Sequence, residues 1–291
     1  MAQPGSIKLG AISRPDHSGG VGPRKFRPKK RLAQHFLVDP KVIHKILMRA
    51  GFRNSDWVLE IGPGRGALTL PLARSVQHIV AVEKDARLVH FLQERLDLAG
   101  ITNVTVINHD ILEWDFREIE LPATTKIKVA GNLPYNISSP VLEKLIESKH
   151  ILSKAILMFQ LELAKRLTAS PGRKSYGAMT LAVQYHAQPR ILLQVSKDAF
   201  RPKPKVDSMV LALDFDRPYP TRALNEENFK KVLKGAFAHR RKTILNSLKA
   251  DPECWDRDIL LESMEKCGID PARRAETLTM DEFLCFSAAL P

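Results

Sequence analysis

Asn132, Leu133, Pro134 and Tyr135 stand together in a chain of 291 residues, and their chemistry suits a flat base with an amino group. The Asn132 side chain and the Leu133 carbonyl offer hydrogen-bond acceptors, Pro134 stiffens the backbone, and Tyr135 supplies a face for stacking. The same four residues also read as an ordinary strand-to-helix turn, which Pro and Asn favour. A second group lies upstream. Gly62-Pro63-Gly64-Arg65-Gly66 forms a turn through which backbone can approach a ligand closely. Its spacing is GxGxG, not the GxGxxG of dinucleotide dehydrogenases. Glu83 follows the first glycine at the distance that lets an acid accept from two ribose hydroxyls, and Asp110 is placed to accept from an adenine amino group. Taken singly, these are a tight turn, a solvated strand end and a capping aspartate. Taken in this order, they describe a nucleoside cofactor beside a second ligand.

The elements that must hold these residues alternate. Apolar runs at 57–61, 78–82, 104–107, 126–131 and 155–159 read as strands, each followed by a polar or glycine-rich turn. Helices are expected at 67–74, from Asp85 onward with Leu88, Phe91, Leu92, Leu96 and Leu98 mostly on one side, at 141–146 and at 160–167. Asp39 and Pro40 start an earlier helix, with Val42, Ile43, Ile46 and Leu47 as its apolar stripe. Residues 190–195 and 208–215 give two last strands, joined by a stiff basic loop that contains Pro202 and Pro204. The pattern predicts an α/β fold, a mainly parallel sheet with helices on both faces. Asn132 and Tyr135 then sit at a carboxyl strand end, where open α/β sheets bind ligands. Arg217-Pro218-Tyr219-Pro220 marks a boundary, and beyond it the periodicity is helical only. The expected organisation is a disordered basic tail (1–28), an α/β domain (29–216) and a small all-α domain (217–291).

The formal net charge of +13 favours an anionic partner, nucleic acid before membrane. Residues 1–31 carry eight Lys or Arg against Asp16 alone, and residues 190–249 carry fourteen against six acids. Arg201, Lys203, Lys205, Arg240, Arg241 and Lys242 are the candidate phosphate contacts. No apolar run is long enough to cross a membrane. The N-terminus has no apolar core of a secretory signal. Cys254, Cys267 and Cys285 show no metal-ligand spacing, and their odd number reads as buried, unpaired thiols in a reducing, cytoplasmic setting. No metal site, P-loop lysine or GxSxG nucleophile is present.

The segment from Leu59 to Thr69, Leu-Glu-Ile-Gly-Pro-Gly-Arg-Gly-Ala-Leu-Thr, resembles the S-adenosylmethionine loop of the ribosomal RNA adenine dimethyltransferase family. Asn132-Leu133-Pro134-Tyr135 resembles that family's amino-methyltransferase motif. Residues 30–37, 160–167, 200–208, 240–248 and 274–278 are similar to it as well, so the resemblance runs from about Lys29 to the C-terminus. The C-terminal pieces are most similar to the branch that acts on bacterial small-subunit 16S RNA, and less to the 23S methylases of antibiotic resistance.

The resemblance implies a Rossmann-like class I methyltransferase fold with a seven-stranded sheet. It implies N6,N6-dimethylation of two adjacent adenines in the hairpin near the small-subunit RNA 3′ end, and a monomer acting on a pre-30S-like particle in ribosome biogenesis. It assigns S-adenosylmethionine contacts to His35, Leu37, Gly62, Gly64, Glu83, Asp110 and Asn132. It assigns the reacting adenine to Asn132, Leu133, Pro134 and Tyr135, with Phe200 as a second stacking ring. The chain departs from the family's usual Gly and Asn at Ala33 and His35. A backbone contact at residue 35 survives that change; a side-chain contact need not. Two other classes compete: an RNA-binding assembly or transcription factor that keeps the fold without catalysis, and a 23S-directed methylase.

Overall fold

β2 (Trp57–Ile61) is the pivot of a seven-stranded sheet. The computed structural model describes residues 34–250 and 255–291; the basic tail, Ala33 and Cys254 lie outside the described residues. On one side of β2 lie β3 (His78–Glu83) and then β4 (Val104–Asn108); on the other lie β5 (Ile127–Asn132) and then β6 (Leu152–Gln160). These five strands are parallel. β7 (Gln188–Val195) closes the edge, and β9 (Ser208–Asp214) inserts antiparallel between it and β6. The strand order reverses between β2 and β5, which creates a crevice at their carboxyl ends.

Alternation along these strands builds two layers of core. Leu59, Val129, Leu157 and Leu211 face one way and pack with Val141, Leu142 and Leu145 of α4 (Ser138–Glu147) and Leu167 of α5 (Leu161–Leu167). Val58, Ala81 and Ala130 face the other way, against Leu72 of α2 (Thr69–Ala73) and Leu92 and Leu96 of α3 (Ala86–Leu98). Further along that face, Ile156, Val210 and Ala212 meet Ile46 of α1 (Pro40–Ala50). Asp39 caps α1 by accepting from the Lys41 and Val42 N–H groups. Gly131 allows β5 to lie close to β2: a Cβ there would stand 2.8 Å from the Ile61 carbonyl oxygen.

Several expectations change. The helix expected at 67–74 is only one turn and a half, because Ala67 and Leu68 still belong to the glycine-rich turn. Leu98 lies on the outer face of α3 and is exposed. α6 (Ala178–His186) was not among the expected elements. A two-stranded ladder outside the main sheet joins β1 (Phe36–Leu37) to β8 (Phe200–Arg201), pairing Phe36 with Arg201 and Leu37 with Phe200. Two residues per strand carry no period that a sequence could reveal.

The C-terminal region comprises α7 (Glu226–Ala238), α8 (Ile244–Leu248), α9 (Arg257–Lys266) and α10 (Met280–Ala289). Its core does not stop at residue 217. Tyr176, Leu181 and Tyr185 pack into the same cluster as Phe229, Leu248, Phe283 and Phe286. The Tyr185 hydroxyl donates to Glu226 at 2.6 Å and accepts from the Ala223 N–H at 2.9 Å. Cys267 and Cys285 form a disulfide between the end of α9 and α10. This corrects the expectation of unpaired, buried thiols: the Gly268 turn and helix packing bring together cysteines 18 positions apart, and Cys285 is exposed. The inference of a reducing compartment loses its premise. No helix among the described residues is long and apolar enough to cross a membrane.

Candidate functional site

The carboxyl ends of β2, β3, β4 and β5 open into one cleft, lined by His35, Leu37, Glu60, Gly62, Gly64, Glu83, Lys84, Asp110, Asn132, Leu133, Pro134 and Tyr135 among others. Register explains the convergence. Ile61 pairs with Gly131 and with Val82, so Gly62, Asn132 and Glu83 each fall one step later. Every residue expected to contact the cofactor lines this cleft.

Glu83 is buried, and both of its oxygens hold backbone. Oε2 accepts from the Gly64 N–H at 3.1 Å and Oε1 from the Asp85 N–H at 2.9 Å. Burial pushes its carboxyl up from the usual range, and the backbone N–H groups oppose that rise. Each carboxylate oxygen can accept more than one hydrogen bond, so capacity remains for hydroxyl donors. Asp110 accepts from the Leu112 N–H at 3.1 Å through Oδ1, and its Oδ2 takes the Lys84 ammonium. Burial works against the Asp110 charge, but Lys84 and the Leu112 N–H outweigh it and hold the carboxyl below its usual range.

Glu60 was not among the expected site residues. It is 2% exposed, lines the cleft, and its Oε2 has no hydrogen-bond partner; the Thr69 hydroxyl is likewise buried and unpartnered. Burial pushes the Glu60 carboxyl up to about 7, against the nearby Thr69 hydroxyl and with the Glu83 charge adding to the rise. The cue in the sequence is an acid inside the apolar strand Trp57-Val58-Leu59-Glu60-Ile61, where a charged residue is seldom buried without a partner. An orphaned carboxylate oxygen on a ligand cleft suits a cationic group of the ligand.

Across the cleft, Asn132 donates through Nδ2 to the His35 carbonyl oxygen at 2.9 Å. A carbonyl only accepts, so this contact fixes which end of the amide is which. Oδ1 is left without a donor, and so is the Leu133 carbonyl, among the described residues. The residue-35 group that holds Asn132 belongs to the main chain, so the change to histidine leaves this bond intact. The His35 ring has its own partners: Nδ1 donates to the Pro202 carbonyl oxygen at 2.8 Å, and the ring stacks on Tyr135 with centroids 5.7 Å apart. The Tyr135 hydroxyl meets Ser208 Oγ at 3.2 Å.

Phe200 requires a correction. It is fully buried beside Leu37, Ile46 and Ala199 and does not line the cleft, because its pairing with Leu37 turns the ring into the core. It is a strut of the acceptor side here and not a second stacking face.

The six candidate phosphate contacts divide. Lys205, Arg241 and Lys242 have no ion pair among the described residues. Lys203 pairs with Asp198 at 2.5 Å, and Arg240 reaches the Lys174 carbonyl and Glu276. Arg201 donates to the carbonyl oxygens of Asp198 and Phe200, which fastens the loop. The Lys203 and Arg240 pairs are exposed, where ion pairs contribute little and exchange readily.

The model of the ribosomal RNA adenine dimethylase family matches residues 25–290. A protein of Desulforapulum autotrophicum named ribosomal RNA small subunit methyltransferase A is 44% identical over 267 residues, which cover 92% of this chain and 93% of that protein. The crystal structure of a dimethyladenosine transferase from Plasmodium falciparum is similar, with a TM-score of 0.72 and 28% identity, covering 87% of this chain and 96% of the other. The 23S rRNA methyltransferase ErmE is similar at a TM-score of 0.68 and 26% identity, covering 88% and 99%.

Proposed function

The chain belongs to the ribosomal RNA adenine dimethylase family, and from that premise we propose that it uses S-adenosylmethionine to dimethylate N6 of two adjacent adenines near the 3′ end of small-subunit RNA. The observation that carries this reading is the fixed Asn132 amide: its nitrogen is spent on His35, so Oδ1 and the Leu133 carbonyl stand open as two acceptors at one edge of the cleft. An adenine amino group has two N–H donors to match them.

The residues present suit the cofactor. Glu83 would take the ribose hydroxyls, Asp110 the adenine amino group, and the orphaned Glu60 oxygen the positive methionyl end. When bound, S-adenosylmethionine supplies an electrophilic methyl on a sulfonium that leaves as a thioether.

The protein's own work is positioning. An adenine N6 lone pair is delocalised into the ring. Acceptors at Asn132 Oδ1 and Leu133 O hold its two hydrogens and favour a pyramidal nitrogen with the lone pair directed at the methyl carbon. With the cofactor bound, N6 would take the methyl as the sulfonium leaves as a neutral thioether, and the proton shed by the cationic N6 would pass to solvent. No strong base is needed before attack, and well-held reactants account for much of the rate. One N–H remains after the first transfer, so one of the two acceptors can still hold the nitrogen for the second. Tyr135 would stack on the flipped base. Lys205, Arg241 and Lys242, together with the exchangeable Lys203 and Arg240, would meet RNA phosphates of a pre-30S-like particle.

Incubation with S-adenosylmethionine and unmethylated ribosomal subunits, followed by nucleoside mass analysis and mapping, tests the proposal. Two adjacent N6,N6-dimethyladenosines in small-subunit RNA are expected. Methylation confined to large-subunit RNA would favour the 23S reading, and RNA binding without any methylation would favour an assembly factor.

A further inference from the structure

We infer that the His35 ring is a positioning residue for the acceptor base: it fixes the Tyr135 ring, while the His35 main chain separately fixes Asn132. The inference rests on the reading that the base stacks on Tyr135.

Tyr135 is the half-buried first residue of a single 3-10 turn, Tyr135–Ile137, which follows Pro134. Such a turn fixes the backbone and leaves the side chain a choice of rotamers. A base arriving from RNA needs one rotamer already selected, because a loosely held platform loses the alignment on which transfer depends. Two contacts select it. The hydroxyl end meets Ser208 Oγ at 3.2 Å, and Ser208 is fully buried in β9 between Gln160 and Val195. The ring face meets His35, with an interplanar angle of 28° and a centroid distance of 5.7 Å, inside the range of offset stacks.

The imidazole is itself held. Nδ1 donates to the Pro202 carbonyl at 2.8 Å, in the loop that follows β8, and β8 is laddered to β1 immediately after His35. His35 thus joins three segments that are remote in sequence: the N-terminal strand, the Asn132–Tyr135 motif and the basic proline loop. Phe200 is turned into the core and cannot supply this ring contact. The division within residue 35 makes the inference testable. The carbonyl that binds Asn132 belongs to the main chain and survives any substitution there, so a change of side chain isolates the ring.

The measurement is steady-state methyl transfer to unmethylated small ribosomal subunits, with S-adenosylmethionine affinity measured by calorimetry on the same preparations. For His35→Ala, cofactor Kd should stay within about twofold, which also reports an intact fold. KM for the subunit should stay within about twofold, since phosphate contacts dominate RNA affinity. The kcat should fall about tenfold, the scale of one aromatic contact in the transition state. His35→Phe keeps a ring and should restore kcat to within about threefold of wild type, whereas His35→Asn keeps a donor without a ring and should not. Ser208→Ala should lower kcat in the same sense.

His35→Ala at the wild-type kcat would overturn the inference. So would a joint loss of cofactor affinity and kcat that His35→Phe does not rescue, because that pattern means a merely structural role. A wild type inactive on these subunits would sink the functional reading and the inference together. An active wild type matched by His35→Ala sinks the inference alone.

Discussion

The two walls of the cleft are built on different plans. The wall of Glu60, Glu83 and Asp110 comes from three consecutive strand–turn units, and its acids are fixed by parallel register. The facing wall of His35, Asn132 and Tyr135, backed by the buried Ser208, draws on three distant segments, tied by single hydrogen bonds, one ring contact and a two-residue ladder. The first wall is a property of the sheet. The second exists only once tertiary packing has brought the segments together, so a change within it disturbs positioning before it disturbs cofactor binding.

The largest effect separating the walls is one of stability. Phe200 is a strut of the second wall, so Phe200→Ala should cost about 3–5 kcal/mol, as for a fully buried ring. Urea unfolding measures it. A stable variant with normal cofactor affinity and lost transfer would instead restore Phe200 as a stacking ring. A smaller effect marks the first wall: Glu83→Ala should weaken S-adenosylmethionine binding about ten- to a hundredfold in calorimetry, the scale of hydrogen bonds to a charged group. Near-normal transfer at saturating cofactor should accompany that loss, and a collapse of kcat would break the division.

The smallest effect is a pH dependence confined to the first wall. Glu60 sits near 7 without ligand, and a cationic ligand group favours its ionised form. Binding therefore expels a proton below about 7, and cofactor affinity should fall by at most about tenfold per pH unit as the solution is acidified. Glu60→Gln should flatten that profile. In the ligand-free fold the sign is opposite: the stabilising contribution of Glu60 is present below its ordinary 4.5 and is lost as pH rises through about 7.

The sequence revealed the first wall better than the second for the same physical reason. Glu83 and Asp110 are readable because strand, turn and helix follow one another at short range. All seven strands of the main sheet were legible from apolar runs, whereas α6 and the β1–β8 ladder were not. Asn132 to Tyr135 was visible as a motif, but the amide's orientation depends on His35, 97 positions away. Phe200 was misplaced because the ladder that turns it inward is long-range. Glu60 was overlooked although its strand displayed it. The Cys267–Cys285 pair is a tertiary fact with no local signature.

The most direct test of the central claim is a single-turnover measurement of methyl transfer by Asn132→Ala on unmethylated small subunits, with cofactor affinity determined in parallel. If the Asn132 amide holds the reacting nitrogen, transfer should fall about a thousandfold while cofactor affinity weakens less than about tenfold. Transfer at the wild-type rate, or a loss fully explained by weaker cofactor binding, would contradict the account.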